Sequence, residues 1–259
     1  MSLTTNENAT CKWSTSSQAY ASMPNNFTTT GGTRHSTTLT GLNSGSSYTR
    51  YVRCIDGAGN ANTDNMTISF NVADLAGNRV VNVSNLSELY TAFSSERDGD
   101  EIVVSPGTYT LNSTALSIDA PNVTVRGATG NRNDIVIRGD SMSAGANIKS
   151  IFYFPQGSYG QNALIKDLSV GRVGWHLIFF NGDGSGNGTT IDNVRLYDAY
   201  EQMIKGTVFG GVGTSNVTVK NSLFEYSAGQ SPQWYTGGID AHHADGWLVQ
   251  GNEFRDIQS

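Results

Sequence analysis

The sequence predicts an all-β chain in two parts, a small antiparallel β-sandwich over residues 1–73 followed by a coil of parallel strands over residues 74–259. Three observations carry this expectation. Charged residues make up only 15 % of the 259 residues, against about 25 % in ordinary globular chains. Gly, Asn, Ser and Thr fill the difference, a composition suited to many short strands and turns. The pattern changes near residue 74, from short alternating strands to an amphipathic helix and then to β-branched runs. Past that point, β-branched residues followed by polar or glycine pairs recur at a nearly constant interval, the mark of a repeat architecture.

Charge and hydropathy narrow the function classes. Sixteen basic residues against 22 acidic ones give a net charge of −6, and no basic run exists to supply the phosphate contacts that nucleic-acid binding needs, so no nucleic-acid partner is expected. No stretch approaches the roughly 18 apolar residues of a membrane span, and the polar start MSLTTNENAT lacks the apolar core of a signal peptide. Cys11 and Cys54 are the two cysteines. They lack CxxC spacing and a histidine cluster close by to make a zinc site, so a disulfide is the favoured reading. A disulfide persists in oxidising compartments, which places the chain outside the cytosol, secreted, periplasmic or at the cell surface, as part of a longer precursor.

In the first part, Cys11–Ser14, Thr37–Leu42, Tyr48–Asp56 and Met66–Val72 read as strands between turns. Leu42, the Gly45 turn and Tyr48 ahead of an alternating strand make the setting of a tyrosine corner, where a phenol bonds back to upstream backbone. Together with Trp13, Ser14, Tyr51, Val52, Arg53, Asp56, Gly59 and Asn60, these residues and the two cysteines resemble a bacterial fibronectin type III-like module. So little sequence precedes Cys11 that the module is expected to be truncated at its N-terminus.

The second part opens on Val80–Ser84 and a short helix. Leu86, Leu89, Ala92 and Phe93 share one helical face, with Ser84 or Asn85 as N-cap and Glu88 placed to close a capping box on Asn85. The Asp98-Gly99-Asp100 turn leads into a strand over 101–105, which Pro106-Gly107 ends. Helix, turn, β-branched strand and Pro-Gly-Thr-Tyr exit resemble the N-terminal cap and first rung of right-handed parallel β-helix proteins, the fold of pectate lyases and other polysaccharide-degrading enzymes.

Internal repetition supports that resemblance. Val125, Ile165, Ile191, Val219 and Val249 are anchors, and the last four are spaced by 26, 28 and 30 residues. Five residues beyond them stand Val170, Leu196, Phe224 and Phe254, expected to stack inward. The 40 residues between Val125 and Ile165 exceed one turn, so a strand over 134–139 and an exposed loop over 141–146 are expected there. A second strand class runs through Ile151–Phe154, Leu177–Asn181, Met203–Thr207 and Gly238–His242. If Ile178, Ile204 and Ile239 stack inward, alternation sends Phe179, Lys205 and Asp240 outward, with Asn181, Thr207 and His242 beside them. Leucine-rich and propeller arrays are excluded by the absence of their repeat motifs.

Chemistry gathers where these strands end. Asp240 and His242 point the same way on a strand and are suited to sharing a proton or bonding sugar hydroxyls. Lys205 is expected one turn away, as a base or as the cation that neutralises a uronate carboxylate; a plain ion pair with Asp240 is the competing reading. Trp175, Trp234 and Tyr235 are candidate sugar-stacking platforms, with Arg172, Glu201 and His243 as further substrate contacts. Asp183, in a glycine-rich loop, and Asp245 are candidate metal ligands, which leaves Ca2+ open as a cofactor, although the EF-hand order is absent.

The resemblance implies an acidic polysaccharide as partner and β-elimination as the reaction, a lyase before a glycoside hydrolase. It carries over no catalytic residue: the arginine motifs of pectate lyases, the paired-Asp and Gly-His-Gly pattern of polygalacturonases and the paired-Asp and Gln pattern of pectin methylesterases are all missing from this sequence. The competing function is a non-catalytic carbohydrate-binding or adhesion solenoid. The coil reaches Ser259 without a polar capping segment, so self-association through the last turn, or a continuation beyond it, is expected.

Overall fold

The computed structural model describes residues 1–42, 46–72 and 79–257. The chain divides into two compact units, Met1–Leu75 and Ala76–Ser259.

The first unit is antiparallel throughout. One sheet runs Asn25–Asn26, Ala9–Ser14, Ser47–Asp56, Met66–Asn71, and a separate pair joins Ser2–Thr4 to Arg34–Ser36. Cys11 and Cys54 face each other across the central pair of strands and are disulfide-bonded. Around them Phe27 and Val52 are buried, with Leu3, Trp13 and Ile68 packed alongside. The strand expected at Thr37–Leu42 does not form. Strand pairing falls three residues earlier, where His35 is buried to 1 % exposure and its two ring nitrogens meet the hydroxyls of Thr5 and Thr30 at 3.0 and 2.9 Å. A satisfied buried ring outweighs the weak alternation of Thr and Leu. The Gly45 turn of the expected tyrosine corner lies outside the described residues; the Tyr48 ring stacks on Phe70 at 5.8 Å.

The second unit is a parallel β-helix of three sheets. Its seven-stranded sheet comprises Val80–Val83, Glu101–Val104, Thr124–Gly127, Leu164–Lys166, Thr190–Asp192, Thr218–Lys220 and Leu248–Gln250. The six-stranded sheet runs from Gly107–Thr110 through Ile135–Arg138, Ser169–Val173, Arg195–Ala199 and Leu223–Glu225 to Glu253–Arg255. Leu116–Ser117, Ser150–Phe154, His176–Phe180, Gln202–Gly206 and Gly237–Ala241 form the five-stranded sheet. Each turn visits the sheets in that order, and each strand pairs in parallel with its equivalents in the neighbouring turns.

The register is the expected one. Val125, Ile165, Ile191, Val219 and Val249 lie opposite one another, as do Val170, Leu196, Phe224 and Phe254 and Ile178, Ile204 and Ile239. Like stacks on like, as in the Phe154–Phe180 and Phe224–Phe254 ring pairs at 4.5 and 4.6 Å. The polar residues after the anchors make the corner between the first two sheets. Asp167, Asn193 and Asn221 take φ of 58°, 54° and 53°, a conformation that Asp and Asn tolerate better than other non-glycine residues. They also link the turns: Asn193 Nδ2 donates to Asp167 Oδ1 at 2.8 Å, and Asn221 Nδ2 to Asp192 Oδ1 at 2.8 Å.

The helix Leu86–Ser94 buries Leu89, Ala92 and Phe93 against the first turn. Asn85 caps it by accepting from the Glu88 amide at 3.0 Å. The Glu88 carboxylate reaches back to the amide and hydroxyl of Ser84, at 2.7 and 2.8 Å, one residue earlier than the expected closure on Asn85. After the helix, Glu96 Oε1 accepts from the amides of Asp119 and Ala120 at 2.5 and 2.9 Å, while its Oε2 is buried without a partner. Burial, helped by Asp119 and Asp100, outweighs those hydrogen bonds and pushes the carboxyl up to about 7.

Candidate active site

The five-stranded sheet positions the polar cluster. Ser117, Tyr153, Phe179, Lys205 and Asp240 occupy one row across its five strands. Alternation is broken near the start of each long strand, where Ile151 and Phe152, Leu177 and Ile178, and Met203 and Ile204 are consecutive and fully buried. This kink turns Ser150, His176 and Gln202 to the same side as the row that follows: the His176 ring lies 5.3 Å from that of Phe179, and Ser150 lines one cleft with Tyr153 and Phe179.

Lys205 Nζ is in direct contact with Asp240 Oδ2. His242 completes a trio, its Nε2 3.3 Å from Asp240 Oδ1 and 3.4 Å from Lys205 Nζ. The His242 amide donates to the Gly206 carbonyl at 2.9 Å, which fixes the backbone just past the strand. Exposure is graded across the trio: the side chains are 7 % exposed for Lys205, 32 % for Asp240 and 50 % for His242. Lys205 is therefore a covered cation, not the open outward lysine that simple alternation suggests. The imidazole is the group that an incoming molecule meets.

A second pair lies on the same side. His176 Nδ1 is 3.1 Å from the Gln202 carbonyl oxygen, which can only accept, so this nitrogen carries the proton. Burial is the main cause that lowers His176 to about 4, so the ring is neutral near pH 7. Its Nε2 lone pair faces Glu201 Oε2 at 3.6 Å, a contact that is not an ion pair at neutral pH. Burial raises the Glu201 carboxyl, against the pull of Lys205 and Lys149. Gln202 Oε1 is buried without a partner.

The other sequence candidates divide. Trp175 is 44 % exposed, immediately before His176, and its backbone carbonyl accepts from the Glu201 amide at 3.1 Å. Trp234 and Tyr235 sit in the segment leading to Gly237–Ala241, rings 5.6 Å apart and 83 % and 41 % exposed. His243 is exposed, with Nδ1 2.9 Å from the Gly211 carbonyl oxygen. Arg172 belongs to the six-stranded sheet and is not brought to the trio. Among the described residues no group of three or more His, Cys, Asp or Glu side chains could hold a metal ion. Asp183 and Asp245 belong to no such group.

Sequence reasoning passes over His176, Gln202, Lys149 and Tyr153. The signal for the first two is present, since His176 and Gln202 hold equivalent places ahead of successive apolar strands. Strict alternation assigns those places to the interior.

No family model matches this sequence, and no curated protein matches it. Among solved structures, an alginate lyase from Paenibacillus sp. str. FPU-7 aligns at 14 % identity and a TM-score of 0.43, over 68 % of this chain and 66 % of that one. The PL6 family alginate lyase AlyGC aligns at 17 % identity and a TM-score of 0.42, over 70 % of this chain and 29 % of that one. A family 28 exopolygalacturonase of Yersinia enterocolitica gives 13 % identity and a TM-score of 0.33, over 87 % and 56 % of the two chains. The chain thus spans just under two thirds of the first of these proteins and less of the others.

Proposed function

We propose that this chain acts on an acidic polysaccharide and cleaves it by β-elimination, with Lys205, Asp240 and His242 as the working centre. The observation that carries the reading is the graded trio, a covered cation joined through a carboxylate to an open imidazole on one strand face. Elimination next to a uronate carboxylate needs a base for the C5 proton and positive charge for the carboxylate as electrons flow into it. His242 takes the proton, because this ring is the exposed member of the trio and a neutral imidazole has a nitrogen that accepts one. Asp240 orients the ring, and the Lys205 ammonium behind them supplies its positive charge through the field of the trio rather than by contact with the substrate. The C5–H bond breaks and its proton passes to the imidazole. Its electron pair forms the C4–C5 double bond, and the C4–O bond breaks with its electrons on oxygen, which takes a proton from water. No step is routed through calcium.

A second reading has its own observation. Lys205 is committed to Asp240 at 7 % exposure, as a structural ion pair would be, and the coil would then be a non-catalytic carbohydrate-binding solenoid. The Cys11–Cys54 disulfide supports export to an oxidising compartment in either case. The antiparallel sheets, one of which carries that bond between adjacent strands, support a fibronectin type III-like spacer.

The test is the ultraviolet absorbance of unsaturated uronates, followed on alginate, pectate, chondroitin and neutral glycans. Rising absorbance on one acidic polymer, abolished in His242→Ala and Lys205→Met, supports the lyase. A flat trace on every polymer overturns it in favour of the binding solenoid.

A further inference from the structure

Toward the N-terminal end of the five-stranded sheet, the row that holds Lys205 and Asp240 becomes aromatic. Tyr153 and Phe179 precede Lys205 in register, their rings 5.7 Å apart. With Lys149 and Trp175 they line a cleft of about 330 Å3. The Tyr153 hydroxyl is fixed by Asn181 Nδ2, which donates to it at 2.9 Å. The Trp175 indole stands 44 % exposed at the edge, with the Lys149 ammonium 5.7 Å from its ring centroid. That ammonium donates to the Ala144 carbonyl at 2.8 Å, and Lys149 pairs with no carboxylate among the described residues.

A cation held in place without a direct carboxylate contact, Glu201 acting on it only at longer range, beside an open indole and two further rings, matches a ligand with one apolar face and one anionic substituent. A uronic acid has that form: the C–H face of the pyranose stacks on aromatic rings and its carboxylate meets an ammonium. Strands within a sheet are about 4.8 Å apart, close to the advance of one sugar in an extended glycan. Tyr153 lies two strands before Lys205, so a chain laid along the coil axis has a sugar over this cleft when another, roughly 10 Å away, lies at the trio.

We propose that this cleft is a binding subsite for an acidic pyranose, in which Trp175 and Tyr153 hold the ring and Lys149 holds the carboxylate. The inference rests on the polysaccharide reading above and adds a direction and a reach. The glycan runs parallel to the coil axis, and ligands shorter than about three sugars fail to span cleft and trio together.

Binding tests it independently of cleavage. The full chain carrying His242→Ala, an exposed substitution that leaves the Lys205–Asp240 contact in place, is titrated calorimetrically with alginate, polygalacturonate and β-1,4-mannan. Trp175→Ala in that background should weaken the preferred polyuronate about tenfold. Lys149→Met should weaken it about fivefold while leaving mannan unchanged, and Lys149→Arg should restore it. On oligouronates of increasing length, the effect of Trp175→Ala should first appear near three sugars. Polyuronate binding unchanged by both substitutions, an equal loss on mannan with Lys149→Met, or no polyuronate binding at all overturns the subsite. A flat absorbance trace combined with a charge-selective loss in Lys149→Met removes the lyase and retains the subsite. Cleavage combined with unaffected binding does the reverse.

Discussion

Glu96 and His176 give the second unit opposing responses to acid, and replacing Glu96 by Gln should separate them. The Glu96 carboxyl is raised from 4.5 to about 7 in the folded chain. The folded state therefore binds more protons than the unfolded one between these values, and this group adds stability as pH falls through the window. His176 is lowered from 6.5 to about 4, so here the unfolded state binds more protons and stability is lost as pH falls. At about 1.4 kcal/mol per pH unit for each group, the two contributions nearly offset between pH 6.5 and 4.5. Glu96→Gln keeps an oxygen to accept from the Asp119 and Ala120 amides and removes only the titration. Acidification from pH 6.5 to 4.5 should then cost the variant about 2 kcal/mol more than it costs the parent, a figure reduced for the partial exposure of Glu96. Urea unfolding of both proteins at the two pH values measures the difference, in which the titrations common to both cancel. A variant that follows the parent within about 0.5 kcal/mol refutes the argument.

Three further outcomes are expected. A Cβ at Gly213 would lie 2.4 Å from the His242 carbonyl oxygen and 2.6 Å from that of His243. Gly213→Ala must push that backbone aside, costing about 1–3 kcal/mol in stability and about a hundredfold in cleavage. Gly145→Ala, which meets open space, is the control, and activity within threefold of it counts against the placement of His242. The Cys11–Cys54 bond spans a sequence separation of 43, so its reduction should destabilise the first unit by about 4 kcal/mol. Calorimetry should show that unit melting earlier while the second is unmoved. Ile204 is fully buried between Ile178 and Ile239, and Ile204→Ala should cost about 3 kcal/mol by denaturant unfolding, with less than 1 kcal/mol arguing for a loosely packed stack.

The coil was legible because a parallel β-helix writes its register into the sequence. Apolar inward residues at Ile165, Ile191 and Val219, and again at Leu196 and Phe224, follow from each turn burying its residues on the next. The meeting of Lys205, Asp240 and His242 follows from the same register. What stayed hidden is local geometry. The kink at Ile151-Phe152 and its equivalents breaks alternation, so His176 and Gln202 join the outward face without any hydropathy signal. The burial of Lys205 depends on neighbours from other turns, and the ring of His35 displaces a strand in the first unit through contacts distant in sequence. Arg172 carries a plausible sugar-binding side chain, but its strand belongs to another sheet.

Between the seven-stranded and six-stranded sheets, two residues suffice at every corner from Asp167-Leu168 to Gly251-Asn252. The segments on either side of the five-stranded sheet vary instead, from the two residues Gly174-Trp175 to the whole stretches 139–149 and 226–236. From residue 167 onward, length variation is thus confined to the borders of the face that holds the trio, whereas the earlier corner 128–134 is longer. A coil of this kind can exchange its rim segments for others while its spring keeps the same pitch. On the polysaccharide reading proposed above, transplanting 139–149 or 226–236 is accordingly the direct route to altering which ligands this scaffold accepts.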